Sequence, residues 1–229
     1  MKFSKVSRYS VQLFVCLFAV LCACIMFSWQ ELFAAHPLTT DDAGIVEINK
    51  HELEIGYDDC KKEDELRNCS AGLSLKHGVT GRFDIGVSFP YQVQPEAQEQ
   101  LGTATVGLKF LLVKDLLALT VNNELGAGAY FLNGIVSHGI SPVALHLNIG
   151  YLATGDAGVK GDVIHSFAVE WPMSMLDLVG EVTGTEASYK NYLVGFRYKI
   201  EDVMALNLAY GNGFSEVEQK IVLGFHSEF

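Results

Sequence analysis

The sequence predicts an all-β fold, an antiparallel transmembrane β-barrel of about 12 strands. Three observations predict it. From His51 onward, apolar residues recur with a period of two. The segments carrying that period are joined alternately by short turns and longer polar stretches. The phase opposite the apolar one is rich in ionisable groups, which a dry core does not accept without partners or water.

Composition alone decides little. The chain has 229 residues, 49% hydrophobic and 19% charged, with 22 glycines, and a soluble enzyme can share those totals. Their distribution says more. Lys2, Lys5 and Arg8 precede an apolar run at 11–27 broken only by Gln12, and Ala34 and Ala35 stand before His36 and Pro37. That order is the layout of a cleavable secretory signal peptide, assigned to 1–35. A run of about 17 apolar residues is also at the lower limit for a spanning helix, and Leu21-Cys22-Ala23-Cys24 partly resembles a lipoprotein cleavage site. The signal peptide is preferred because nothing after it reads as a soluble domain in need of an anchor. Phe33 fits the −3 position poorly for a cut after Ala35.

Residues 1–35 hold three basic residues and one acidic residue, Glu31, so the remainder is more acidic than the whole chain with its formal charge of −11. Such a chain has no electrostatic footprint for nucleic acid. No later segment approaches about eighteen consecutive apolar residues, so a membrane could be crossed only with strands.

Residues 36–50 read as a periplasmic lead-in segment, and 51–229 as the barrel. Within the lead-in, 39–44 carries Asp41 and Asp42; it forms either a simple turn or a small plug in the barrel mouth. The expected strands are then 51–59, 69–77, 82–92, 102–113, 116–126, 134–140, 143–153, 162–172, 176–187, 190–200, 203–213 and 219–229. In the third, Phe83, Ile85, Val87, Phe89 and Tyr91 alternate with Asp84, Gly86, Ser88 and Pro90. In the fourth, Ala104, Val106, Leu108, Phe110 and Leu112 hold the apolar phase, and in the seventh Val143, Leu145, Leu147, Ile149 and Tyr151 do. The tenth repeats the pattern with Tyr192, Val194, Phe196 and Tyr198. Alternation of this kind gives each strand one apolar and one polar face. Most of the segments have the roughly nine to eleven residues that a tilted strand needs to cross a bilayer.

The connections sort by length. Short turns follow the even-numbered strands, at 78–81, 114–115, 141–142, 173–175 and 201–202. Longer polar loops follow the odd-numbered ones, at 60–68, 93–101, 127–133, 154–161 and 214–218, with 188–189 as the exception. Outer-membrane barrels have short periplasmic turns, longer outer loops and an even strand number. A soluble sandwich does not sort its loops this way.

The polar phase supplies the candidate site. Glu52, Glu54, Lys76, Asp84, Lys109, Glu124, Glu170, Glu181, Arg197 and Lys199 fall opposite the apolar residues and are expected to line a wet lumen, either as a conducting path or as ion pairs that plug it. Cys60 and Cys69 bracket a polar segment and are expected to form a disulfide across an outward loop, worth about 2–3 kcal/mol in the chain-entropy model. Their spacing fits neither a redox motif nor a zinc site. No cofactor or metal is expected: Asp156 and Asp162 lack calcium-loop spacing, and Leu125-Gly126-Ala127-Gly128 matches no nucleotide-binding loop. His77 and His165 fall on the lipid phase and His146 on the inner one, and no Ser–His spacing sets up a nucleophile with its base. Phe229, in phase with Ile221, Leu223 and Phe225, resembles the terminal aromatic by which the barrel-assembly machinery selects its clients, although Ser227 departs from that pattern.

Several segments resemble an outer-membrane transporter family named for the meta-pathway of phenol degradation. The opening Pro37-Leu38-Thr39-Thr40-Asp41-Asp42-Ala43-Gly44, with Val46-Glu47 and His51-Glu52-Leu53-Glu54-Ile55-Gly56-Tyr57, is similar to that family's start. So are Leu75-Lys76-His77-Gly78-Val79-Thr80, Phe83-Asp84-Ile85-Gly86-Val87, Pro90-Tyr91, Gly150-Tyr151 and Thr154-Gly155-Asp156. The resemblance runs over essentially all of 36–229. It implies a barrel among bacterial outer-membrane lipids that passes small hydrophobic or aromatic compounds. A closed structural or adhesive barrel is the alternative, and a lipid-modifying enzyme a distant third.

Overall fold

The computed structural model describes residues 36–62, 66–96, 98–156, 158–186, 188–215 and 218–229. The signal-peptide reading of 1–35 lies outside the described residues. Twelve strands form: β1 His51–Lys62, β2 Asn68–Thr80, β3 Phe83–Gln94, β4 Thr105–Val113, β5 Leu117–Glu124, β6 Tyr130–Ile140, β7 Val143–Ala153, β8 Asp162–Trp171, β9 Leu176–Thr185, β10 Ser188–Glu201, β11 Met204–Gly213 and β12 Glu218–Glu228. Each pairs antiparallel with its sequence neighbours, and β1 pairs with β12, giving one closed barrel. Closure leaves no edge strand, so every ladder is hydrogen-bonded within the chain, as a lipid environment demands.

The period of two becomes two faces. Along β11, Ala205, Asn207, Ala209 and Gly211 are buried inside, whereas Leu206, Leu208 and Tyr210 are exposed outside. β7 repeats this with Ala144, His146, Asn148 and Gly150 inside and Leu147 and Ile149 outside. Among the described residues, five of the six exposed tyrosines, Tyr91, Tyr130, Tyr151, Tyr189 and Tyr210, lie toward one end of the outer surface, and Tyr198 lies toward the other. Four of those five adjoin the longer connections and Tyr189 the two-residue connection at the same end, and aromatic girdles of this kind flank the apolar band of outer-membrane barrels.

The weakest expected strand, 134–140, extends back to Tyr130 because Tyr130 and Leu132 continue the outer phase and pair with Ala153 and Tyr151. The β3–β4 ladder is shorter than either strand. It runs from Phe83↔Phe110 to Ser88↔Thr105, and beyond it Pro90 and Gln92 bond instead to Gly102 and Gln100 of the loop.

One expectation is corrected. Cys60 and Cys69 are free thiols. Both lie within strands, where Cys60 pairs with Asn68 and Cys69 with Asp59. Paired residues share a face and successive residues alternate, so this one-residue offset sends the two sulfurs to opposite faces of the hairpin. Cys69 Sγ instead lies 3.5 Å from Asp59 Oδ1, and the loop is held by the exposed Arg67–Asp59 ion pair.

Candidate functional site: the plugged lumen

The lead-in runs inside the barrel, the plug arrangement among the two readings of 39–44. It enters beside the β2–β3 turn, where Asn49 N–H donates to Gly78 O at 2.9 Å and Gly78 N–H to Lys50 O at 3.1 Å. A Cβ at Gly78 would strike the Glu47 carbonyl, so this close approach requires glycine. From there the chain crosses the lumen. Val46 N–H donates to Asp84 Oδ2 at 3.0 Å, Ala43 N–H to Ser137 Oγ at 2.8 Å and Asp41 N–H to Asn148 Oδ1 at 2.8 Å. Glu181 then takes four donors: the N–H and hydroxyl of Thr39 at 2.8 and 2.9 Å, the Thr40 hydroxyl at 2.6 Å, and the Thr40 N–H. The His36 ring ends over Gly56 and Gly224, which pair across the β1–β12 seam.

Two small apolar contacts complete the seat. Leu38 packs against Ala168, Val179, Leu193, Ala209 and Val222 of β8–β12. Ala43 packs against Ala118 of β5 and Ile135 of β6. Three of these seven wall residues are alanines, which leaves the plug room in a lumen of twelve strands.

The ten inward residues expected from the sequence all lie on the inner phase, and all but Glu124 enter contacts within the lumen. Lys76 bonds Glu52 and lies 3.2 Å from Glu54. Lys109 lies 2.8 Å from Asp41 and 3.8 Å from Asp42, tying β4 to the plug. Arg197 lies 3.2 Å from Glu170 and 3.8 Å from Asp177, which also receives Lys199 at 2.8 Å. Glu124 stands apart at the loop end of β5. Asp177 was missed in the sequence, although it stands in phase with Glu181 on the same strand and parity places it inside. The plug partners Asn148 and Ser137 share that inner phase but carry no charge to single them out.

Glu52, Glu54 and His226 present ligand atoms within 4.8 Å of one another. The Lys76 ammonium already bonds both carboxylates and supplies positive charge there. Ser137 Oγ and His146 Nδ1 lie 2.8 Å apart across β6–β7, a Ser–His contact that spacing did not reveal. Both residues are fully buried, and the serine oxygen already accepts the Ala43 N–H. Among the described residues, both polar atoms of the Asn207 side chain, Asp58 Oδ1 and His146 Nε2 have no protein partner. Buried polar atoms of that kind are ordinarily satisfied by water.

No protein-family model matches the chain, and no curated protein does. Solved structures do. A KdgM porin in complex with disordered oligogalacturonate superposes with a TM-score of 0.56 at 12% identity, covering 77% of this chain and 99% of that one. An outer membrane channel from Pseudomonas putida F1 gives a TM-score of 0.54 at 12% identity, covering 84% and 100%. Omp33, an outer membrane protein of Acinetobacter baumannii, gives 0.51 at 10% identity, covering 79% and 98%. The fold is that of the outer-membrane barrels. At such identities the likeness speaks for the fold, and the lumen must argue the rest.

Proposed function

We propose that this protein is a passive channel of the bacterial outer membrane, narrowed by its own segment 36–50. The observation that carries the reading is the charged lumen enclosed by an apolar outer face. A closed barrel serving only as a scaffold would gain more from a packed apolar interior than from buried ion pairs, which are costly to desolvate. In this reading 1–35 directs export and is removed, the long connections face outward, and Phe229 presents the chain to the assembly machinery. The ten charged residues line the lumen, and their ion pairs hold wall and plug in place.

The solute is small, because the plug occupies the centre of the lumen. Hydrophobic or aromatic compounds as solutes rest on the sequence resemblance alone. The same plug favours a second reading, a barrel that stays shut. Planar bilayers separate the two: discrete conductance steps from the purified, refolded chain are expected, and a barrel that folds but never conducts favours the closed reading.

A further inference from the structure

The plug is lopsided. On the β8–β12 side, Leu38 lies against its apolar patch and Glu181 clamps Thr39 and Thr40. A cavity of about 80 Å3 above this contact, lined by Thr183 and Asn191, shares no lining residue with one of about 120 Å3 below it, lined by Asp177 and Lys199. The β2–β5 side differs. A cavity of about 380 Å3 at the loop end meets one of about 180 Å3 deeper in the barrel, and both are lined by Ser74, Ser88 and Thr105. Successive inward residues of β2 follow this column: Ser70 and Gly72 line the upper part, Ser74 both parts, and Lys76 the lower. Asp84, the second residue of β3, lines the lower cavity beside the short-turn end of the barrel.

Resting on the channel reading, we infer that the solute passes between the plug and the β2–β5 wall, and that this route selects small hydrophilic solutes carrying both signs of charge. Gly86 and Gly107 pair across β3–β4 and line the lower cavity, so no side chain from either closes it. Lys76 and Lys109 face Asp41 and Asp84 around the same space, with Thr120 and Asn122 completing a polar wall. Lys109 already contacts Asp41 at 2.8 Å and Lys76 contacts Glu52 and Glu54. A solute carrying an ammonium and a carboxylate can replace these contacts in kind, whereas a purely apolar solute would strip these groups of water without replacing it. The route therefore favours a different solute class from the hydrophobic one that the resemblance implies.

The test uses the full chain with single substitutions, each checked for the heat-resistant gel migration of a folded barrel. Gly107→Trp and Ser88→Trp should abolish most of the unit conductance, and Thr183→Trp on the sealed side should leave it near wild type. The route is overturned if Thr183→Trp blocks while both others conduct normally. A wild-type protein that folds but never conducts overturns the channel reading, and the route with it. For the solute class, vesicles containing the protein should swell faster in isotonic glycine than in its uncharged isomer glycolamide, each corrected for protein-free vesicles. Equal or reversed rates from conducting protein overturn the class while leaving the channel standing.

Discussion

His51 and Phe229 join the two ends of the barrel. His51 N–H donates to the Phe229 carbonyl at 2.8 Å, Phe229 N–H returns to the His51 carbonyl at 2.9 Å, and the rings stack with centroids 5.6 Å apart. The His51 ring also stacks on His77 of β2, with centroids 4.6 Å apart. Phe229→Ala keeps the backbone bonds and removes the stack, a loss of about 0.5–1.5 kcal/mol beyond buried area. The expected result is a lower yield of heat-resistant barrel in refolding and in cells, with unchanged conductance for the molecules that do fold.

The faces of β3 give a paired test. Ile85 is exposed on the outer surface near the short-turn end of β3, and Arg there should destabilise the barrel by less than the roughly 2–4 kcal/mol of the bilayer midplane. Ser88→Arg points into the lumen, should leave stability nearly unchanged and should lower conductance. Denaturant titration in lipid vesicles reads the first effect and bilayer recording the second.

Removing one partner from a buried ion pair leaves the other charge uncompensated. Arg197→Met strands Glu170, while Asp177 keeps Lys199, and should destabilise the barrel by about 3–5 kcal/mol. Adding Glu170→Leu should recover a good part of that loss, because it removes the stranded charge. Unfolding midpoints of the single and double variants check this.

Glu181 accepts four plug donors, and hydrogen bonds to a charged group contribute about 1.5–3 kcal/mol each. Glu181→Ala should loosen the plug without opening the barrel wall. Faster proteolysis within 36–46 is expected in the folded protein, together with noisier and larger conductance.

Free thiols at Cys60 and Cys69 predict that peptide mapping finds both residues alkylated after denaturation in iodoacetamide without reductant. Alkylation of neither would restore the disulfide.

The barrel was legible because period-two alternation is local. Each run, such as Phe83-Asp84-Ile85-Gly86-Val87, shows its faces without reference to the rest of the chain, and strand parity then places Asp84, Glu181 or Arg197 inside. The plug was only half legible. Its bonds join Thr39 to Glu181 and Asp41 to Lys109, 142 and 68 positions apart, and no local pattern specifies such pairs. The cysteines misled for a related reason: their spacing allowed a bridge, and only the β1–β2 register, one residue out of phase, forbids it.

A channel held nearly shut by its own segment 36–50 must show it in unit conductance measured with and without that segment. Deleting 38–46 removes the Leu38, Thr39, Thr40 and Asp41 contacts but leaves β1 and the barrel wall intact. Discrete steps are expected from the wild type and clearly larger ones from the deletion. Folded barrels that show no steps in either form would contradict it.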